Sequence, residues 1–145
     1  MSTAALDKPL EISQEIEIAA GPEKVFDSLL RKLSDLNETP QGPMPMKLEA
    51  QPGGRWFRDL GEQSGHLWGH VQVIKAPKLL EICGPLFMSF PAVNHLQFRL
   101  EPTDGGTLIA FQHTAIGLIP DEFRAHTGEG WAHYLKGVKE HAEHS

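Results

Sequence analysis

Between Asn94 and Ala115 the chain alternates apolar and polar residues twice, on either side of Thr103-Asp104-Gly105-Gly106. This two-residue period is the strongest constraint on its fold. Leu96, Phe98 and Leu100 share one parity and His95, Gln97 and Arg99 the other, and Thr107 to Ala115 returns with the same pattern. The Asp-Gly-Gly segment between them has the chemistry of a tight turn, so the pair reads as a hairpin with one buried face. Shorter stretches of the same kind precede it. Leu10 to Ile18 sets Leu10, Ile12, Ile16 and Ile18 against Glu11, Glu15 and Glu17. Met46–Ala50, Arg55–Leu60, His66–Ile74 and Leu79–Gly84 follow, separated by Gly and Pro.

Two segments have the helical period instead. Gly21-Pro22-Glu23 opens one, because proline suits the first turn and an acid suits the positive end of the helix dipole. Val25, Phe26, Leu29, Leu30 and Leu33 then line one face. Leu36 to Pro45, with three prolines, reads as a loop. The second helix starts at Ile119-Pro120-Asp121-Glu122 and carries Phe123, Thr127, Trp131, Leu135 and Val138 as its apolar stripe. Gly128 and Gly130 each weaken it by ~1 kcal/mol relative to alanine, which predicts a break or a fresh start near Gly130. Residues 1–9 read as a flexible tail and 10–145 as a single domain. Strands that need one face covered, followed by a late amphipathic helix, define an α+β architecture.

Composition excludes several classes of function. The chain has 145 residues, one ordinary domain, and a net charge of -6 without a Lys/Arg cluster, so no nucleic-acid partner is expected. No apolar run approaches the ~18 residues that span a bilayer, and the N-terminus lacks a signal-peptide core. No membrane association and a cytoplasmic location are expected. A single cysteine, Cys83, allows no intrachain disulfide and reads as a buried, inert thiol. Phosphate-cradling, dinucleotide and nucleophile-elbow motifs are all missing, and no cofactor is expected. All eight histidines fall after Gly65. His66 and His70 lie about 13 Å apart on a strand, too far to share an ion. His126 and His133 meet only on an unbroken helix. His141 and His144 offer too few ligands for a structural metal site, and none is expected.

The order of these segments resembles the START-like (SRPBCC) superfamily, and within it the proteins related to the C-terminal domain of the activator of the heat-shock protein 90 ATPase. The resemblance is carried by Ile16–Leu30, by Pro52-Gly53-Gly54-Arg55-Trp56, by Gly69–Ile82, by Glu101–Thr107 and by Gly130-Trp131-Ala132-His133-Tyr134-Leu135. Leu33 to Pro45 departs from it, lacking the Trp and the Asp-Pro turn of close relatives. With no separate N-terminal domain of the co-chaperone in the sequence, activation of the heat-shock ATPase is not expected. The implied fold is a helix grip: a curved antiparallel sheet wrapped around a long C-terminal helix, with short helices after the first strand.

The resemblance also implies which residues look inward. These are Trp56; Trp68, His70, Gln72 and Ile74; Leu80 and Ile82; Leu96, Phe98 and Leu100; Ile109, Phe111 and His113; and Phe123, Trp131, Leu135 and Val138 from the helix. Alternation alone leaves the third strand open, since Leu67, Val71 and Val73 make an equally apolar opposite face and a one-residue slip turns Trp68 and His70 outward. The ligand-binding set expected for an apolar cavity is Trp56, Trp68, His70, Phe98, Phe111, His113, Phe123, Trp131 and Leu135. Its partner is a small hydrophobic or amphipathic molecule. An alternative is a cyclase, dehydratase or hydrolase with His113 or His70 as acid or base. A second is a co-chaperone-like or regulatory interaction module with an exposed apolar patch at Leu86–Pro91. That stretch could equally cover the cavity or form the contact of a homodimer.

Overall fold

The computed structural model describes residues 8–145, so most of the tail expected at 1–9 lies outside the described residues. The chain runs β1 (Leu10–Ile18), α1 (Pro22–Leu33), β2 (Glu38–Thr39), β3 (Gly42–Pro43), β4 (Lys47–Leu48), β5 (Arg55–Gly61), β6 (Ser64–Lys75), β7 (Leu79–Gly84), β8 (Ala92–Thr103), β9 (Gly106–Gly117) and α2 (Asp121–His144). Seven strands form one antiparallel sheet in the order β1-β9-β8-β7-β6-β5-β4, while β2 and β3 pair separately. This is the helix-grip α+β fold. One helix follows β1, where the resemblance implied several.

The alternating hairpin forms as expected, with Leu96 opposite His113, Phe98 opposite Phe111 and Leu100 opposite Ile109. All six side chains are buried. The five apolar ones meet Val25, Phe26, Leu29 and Leu33 from α1 and Trp131, Leu135 and Val138 from α2 in one core. Pro22 opens α1 as its sequence predicts. The far end of α1 is tied to the sheet, because the Trp56 indole Nε1–H donates to the Leu33 carbonyl at 2.8 Å. That bond satisfies one of the carbonyls a helix end leaves without a partner.

The break expected near Gly130 does not occur, and α2 runs unbroken for 24 residues. Tertiary contacts override the low propensity of its glycines. The Gln14 amide of β1 donates to the Gly128 carbonyl at 2.7 Å, and Trp131 is bonded into the sheet one residue beyond Gly130.

β6 departs from simple alternation. Its register with β5 slips between Trp56↔Gly69 and Phe57↔Leu67, and with β7 between Val71↔Ile82 and Val73↔Glu81. Each bulge inserts one residue and reverses the parity beyond it. The inward residues are therefore Trp68, Val71 and Ile74, three apart instead of two. His70 and Gln72 face solvent, which corrects their expected inward placement. Gly69 and Gly84 permit the close strand approach beside the first bulge. A Cβ on Gly84 would lie 2.4 Å from the Gly69 Cα.

Candidate functional site: an aromatic cavity between sheet and helix

A cavity of about 690 Å³ opens between α2, the α1 end of the sheet and the β2–β3 hairpin. Aromatic rings form much of its wall. Trp56 and Trp68 meet edge to face at 5.0 Å, Trp68 meets Phe87 at 5.4 Å and Phe87 meets Phe123 at 5.3 Å. Trp131 and Tyr134 close the helix side, with their rings 5.7 Å apart. The backbone at Leu86 allows this enclosure. Leu86 is fully buried in the core with φ of 56°, and its N–H donates to the Trp68 carbonyl at 2.7 Å. This holds Phe87 beside the opening. In the Leu86–Pro91 stretch Leu86 and Met88 are buried, while Phe87 lines the cavity with part of its ring exposed.

Of the nine residues expected at a ligand, Trp56, Trp68, Phe123 and Trp131 line this space. Phe98, Phe111 and Leu135 are buried in the core behind it. His70 is on the opposite face of the sheet, opposite Cys83 of β7, which in turn pairs with His95 of β8. Cys83 is half-buried there instead of fully enclosed.

His113 is fully buried and stands behind Trp131. The Trp131 Nε1–H donates to His113 Nδ1 at 2.9 Å, which leaves the ring proton on Nε2, 2.7 Å from Asn94 Oδ1. The Asn94 amide nitrogen then donates to the carbonyls of Gly84 and Pro85. Both imidazole nitrogens are occupied, and burial lowers the ring's pKa from 6.5 to about 4. Asn94 does supply the second polar group that an acid–base role needs. Yet this neutral relay fastens α2 to β8 and the β7 end, and the ring does not line the cavity.

Sequence reasoning missed the cavity's polar residues. Lys32 lines it, with a side chain only 11% exposed, and donates to Glu38 Oε1 at 3.2 Å. The signal was present: Lys32 follows Ser28 and Leu29 by four and three residues, on the buried face of α1. Tyr134 also lines the space, and its hydroxyl is buried without a hydrogen-bond partner. Desolvation pushes its pKa well above the ordinary phenol value. His126 and His133, read as surface residues, are exposed at the cavity's edge. His141 and His144 turn to separate partners, the Ser28 hydroxyl and the Glu140 carbonyl.

A curved sheet gripping a long helix around an aromatic-lined space defines a helix-grip protein of the SRPBCC class. Residues 19–143 match the family described as "Activator of Hsp90 ATPase homolog 1-like protein", and the chain belongs to that family. No curated protein matches it. Among solved structures it is similar to protein MLL2253 from Mesorhizobium loti, at 19% identity and a TM-score of 0.67, covering 90% of this chain and 95% of that one. Protein CV1439 from Chromobacterium violaceum is similar at 17% identity and a TM-score of 0.71, over 93% and 99% of the two chains. The di-domain ARO/CYC StfQ of the steffimycin biosynthetic pathway matches at 12% identity and a TM-score of 0.66, over 96% of this chain and 51% of that one. Among the described residues no helix is long and apolar enough to cross a membrane.

Proposed function

We propose that this protein binds a small hydrophobic or amphipathic molecule in the cavity between its sheet and α2, as one domain of residues 10–145 working in the cytoplasm. The observation that carries this is the cavity itself: about 690 Å³, within the usual range for a ligand pocket, with aromatic rings on several sides. Its size and lining suit a flat or elongated apolar body of drug-like dimensions. The likeness to an ARO/CYC domain agrees with a fold that can enclose such a molecule.

Gly130 supplies the test. It lines the cavity, and a Cβ built on it meets nothing within 4 Å. Gly130→Leu adds a branched side chain at the exposed rim of the cavity while improving helix propensity. Titration with 8-anilinonaphthalene-1-sulfonate, followed by its fluorescence, is expected to show saturable binding to the native protein. Gly130→Leu is expected to bind about tenfold or more weakly with an undiminished melting temperature, a loss of roughly 1.4 kcal/mol of binding. Equal binding by the folded variant, or no binding by the native protein, rules the reading out.

A further inference from the structure

Among the described residues Lys32 is the one Lys or Arg side chain that lines the cavity. It comes from the last turn of α1, where a cation is favourable, but it is folded inward: its ammonium lies close to Gly137 of α2, 3.7 Å from where a Cβ on that residue would sit. An ammonium carries three donors, and a mostly buried one needs them paired. Among the described residues its hydrogen-bond partner is Glu38 alone, at 3.2 Å, longer than the ~2.8 Å of a strong charged bond. Glu38 is a loose partner. Its side chain is 54% exposed, and it sits on the two-residue strand β2 of a hairpin outside the main sheet. Nearby polar groups are already engaged: the Asn37 amide donates to the Met44 carbonyl and the Thr39 hydroxyl to the Gly42 carbonyl. The other charged or titratable groups lining the space are Glu129, His126, His133 and Tyr134, all on α2.

Building on the cavity reading above, we propose that the ligand is an aromatic carboxylate whose acid group takes Lys32 as its counter-ion and displaces Glu38. The rings of Trp56, Trp68 and Phe87 hold the apolar body, and Lys32 fixes its orientation. Glu38 is a stand-in anion: it pairs the lysine in the empty cavity and swings to solvent when the ligand's carboxylate arrives. The polar end therefore selects against cations and gives neutral analogues no ion pair.

Three probes of one shape separate this inference from the cavity reading: 2-naphthoate, its neutral methyl ester and 2-naphthylmethylamine, each followed by quenching of the tryptophans. The naphthoate is expected to bind about tenfold tighter than the ester, with the amine weakest. Lys32→Met, which keeps the apolar stem, is expected to remove that preference and leave ester binding within about twofold. Glu38→Gln is expected to tighten naphthoate about threefold, by removing the competing carboxylate, without changing the ester. Ester binding with no preference for naphthoate, or a preference that survives Lys32→Met, overturns the lysine anchor and leaves the cavity reading intact. Weaker naphthoate binding in Glu38→Gln overturns the displacement. Binding of none of the three overturns both the inference and the cavity reading.

Discussion

Acid should loosen this protein through one buried ring. His113 has an ordinary pKa of 6.5 when unfolded and about 4 when folded, because burial disfavours the imidazolium. Between those values the unfolded chain holds a proton that the folded one refuses. Stability is therefore full above pH 6.5, declines as the pH falls, and stops responding to this group once the pH is below about 4. The gap corresponds to about 3 kcal/mol, a substantial part of a domain's usual stability. His113→Gln isolates the effect. A glutamine amide can accept from Trp131 and donate to Asn94, so it reproduces both bonds of the relay but cannot titrate. Urea unfolding of both proteins, followed by tryptophan fluorescence, should be compared at several pH values between about 7 and 4. Glu49, Asp59, Glu81 and Glu143, held below the usual carboxylate range by hydrogen bonds, also lose stabilisation in acid, but equally in both proteins. Any packing cost of the substitution is likewise common to every pH. The native protein should lose about 3 kcal/mol more than the variant over this range. A difference between the two that stays constant with pH would refute the reasoning.

Tyr134→Phe removes a buried hydroxyl that has no partner, and should raise stability by about 1 kcal/mol in chemical denaturation; a loss would reveal a hydrogen bond to that group. Glu62 and Gln63 both take positive φ in the turn between β5 and β6, a conformation that costs side-chain-bearing residues ~1 kcal/mol or more each. Replacing the pair by Glu62→Asn and Gln63→Gly should raise the melting temperature, and an unchanged or lower value would mean the turn is unstrained.

The elements that were legible in the sequence are those with an uninterrupted period. β8 and β9 alternate without a bulge, and α1 has both a proline start and a continuous apolar face, so their inward residues follow from counting. β6 was not legible because its two bulges are written nowhere in the hydrophobic pattern. The first sits where Gly69 and Gly84 let neighbouring strands approach, the second between Val71 and Val73, and together they leave His70 outside and Val71 inside. In the β5–β6 turn Gly61 and Gly65 stand at the flanks, while Glu62 and Gln63 form the tip with positive φ. In α2 the glycines argued for a break that a single bond from Gln14 and the anchoring of Trp131 prevent. The site followed the same division. Its aromatic walls were anticipated at Trp56, Trp68, Phe123 and Trp131, but Lys32 was overlooked at a helix end where cations commonly face water.

Gly130 and Gly137 both lie along the cavity wall of α2, and each makes the helix less stable than alanine would, by about 1 kcal/mol. Selection for a sturdier molecule and selection for a roomy one therefore pull these two positions in opposite directions. A lineage that had given up its ligand would be free to let larger residues accumulate there, and would grow more heat-resistant as its interior filled. Retained glycine at both positions would then be a mark of a container still in use, readable in relatives before any ligand is known.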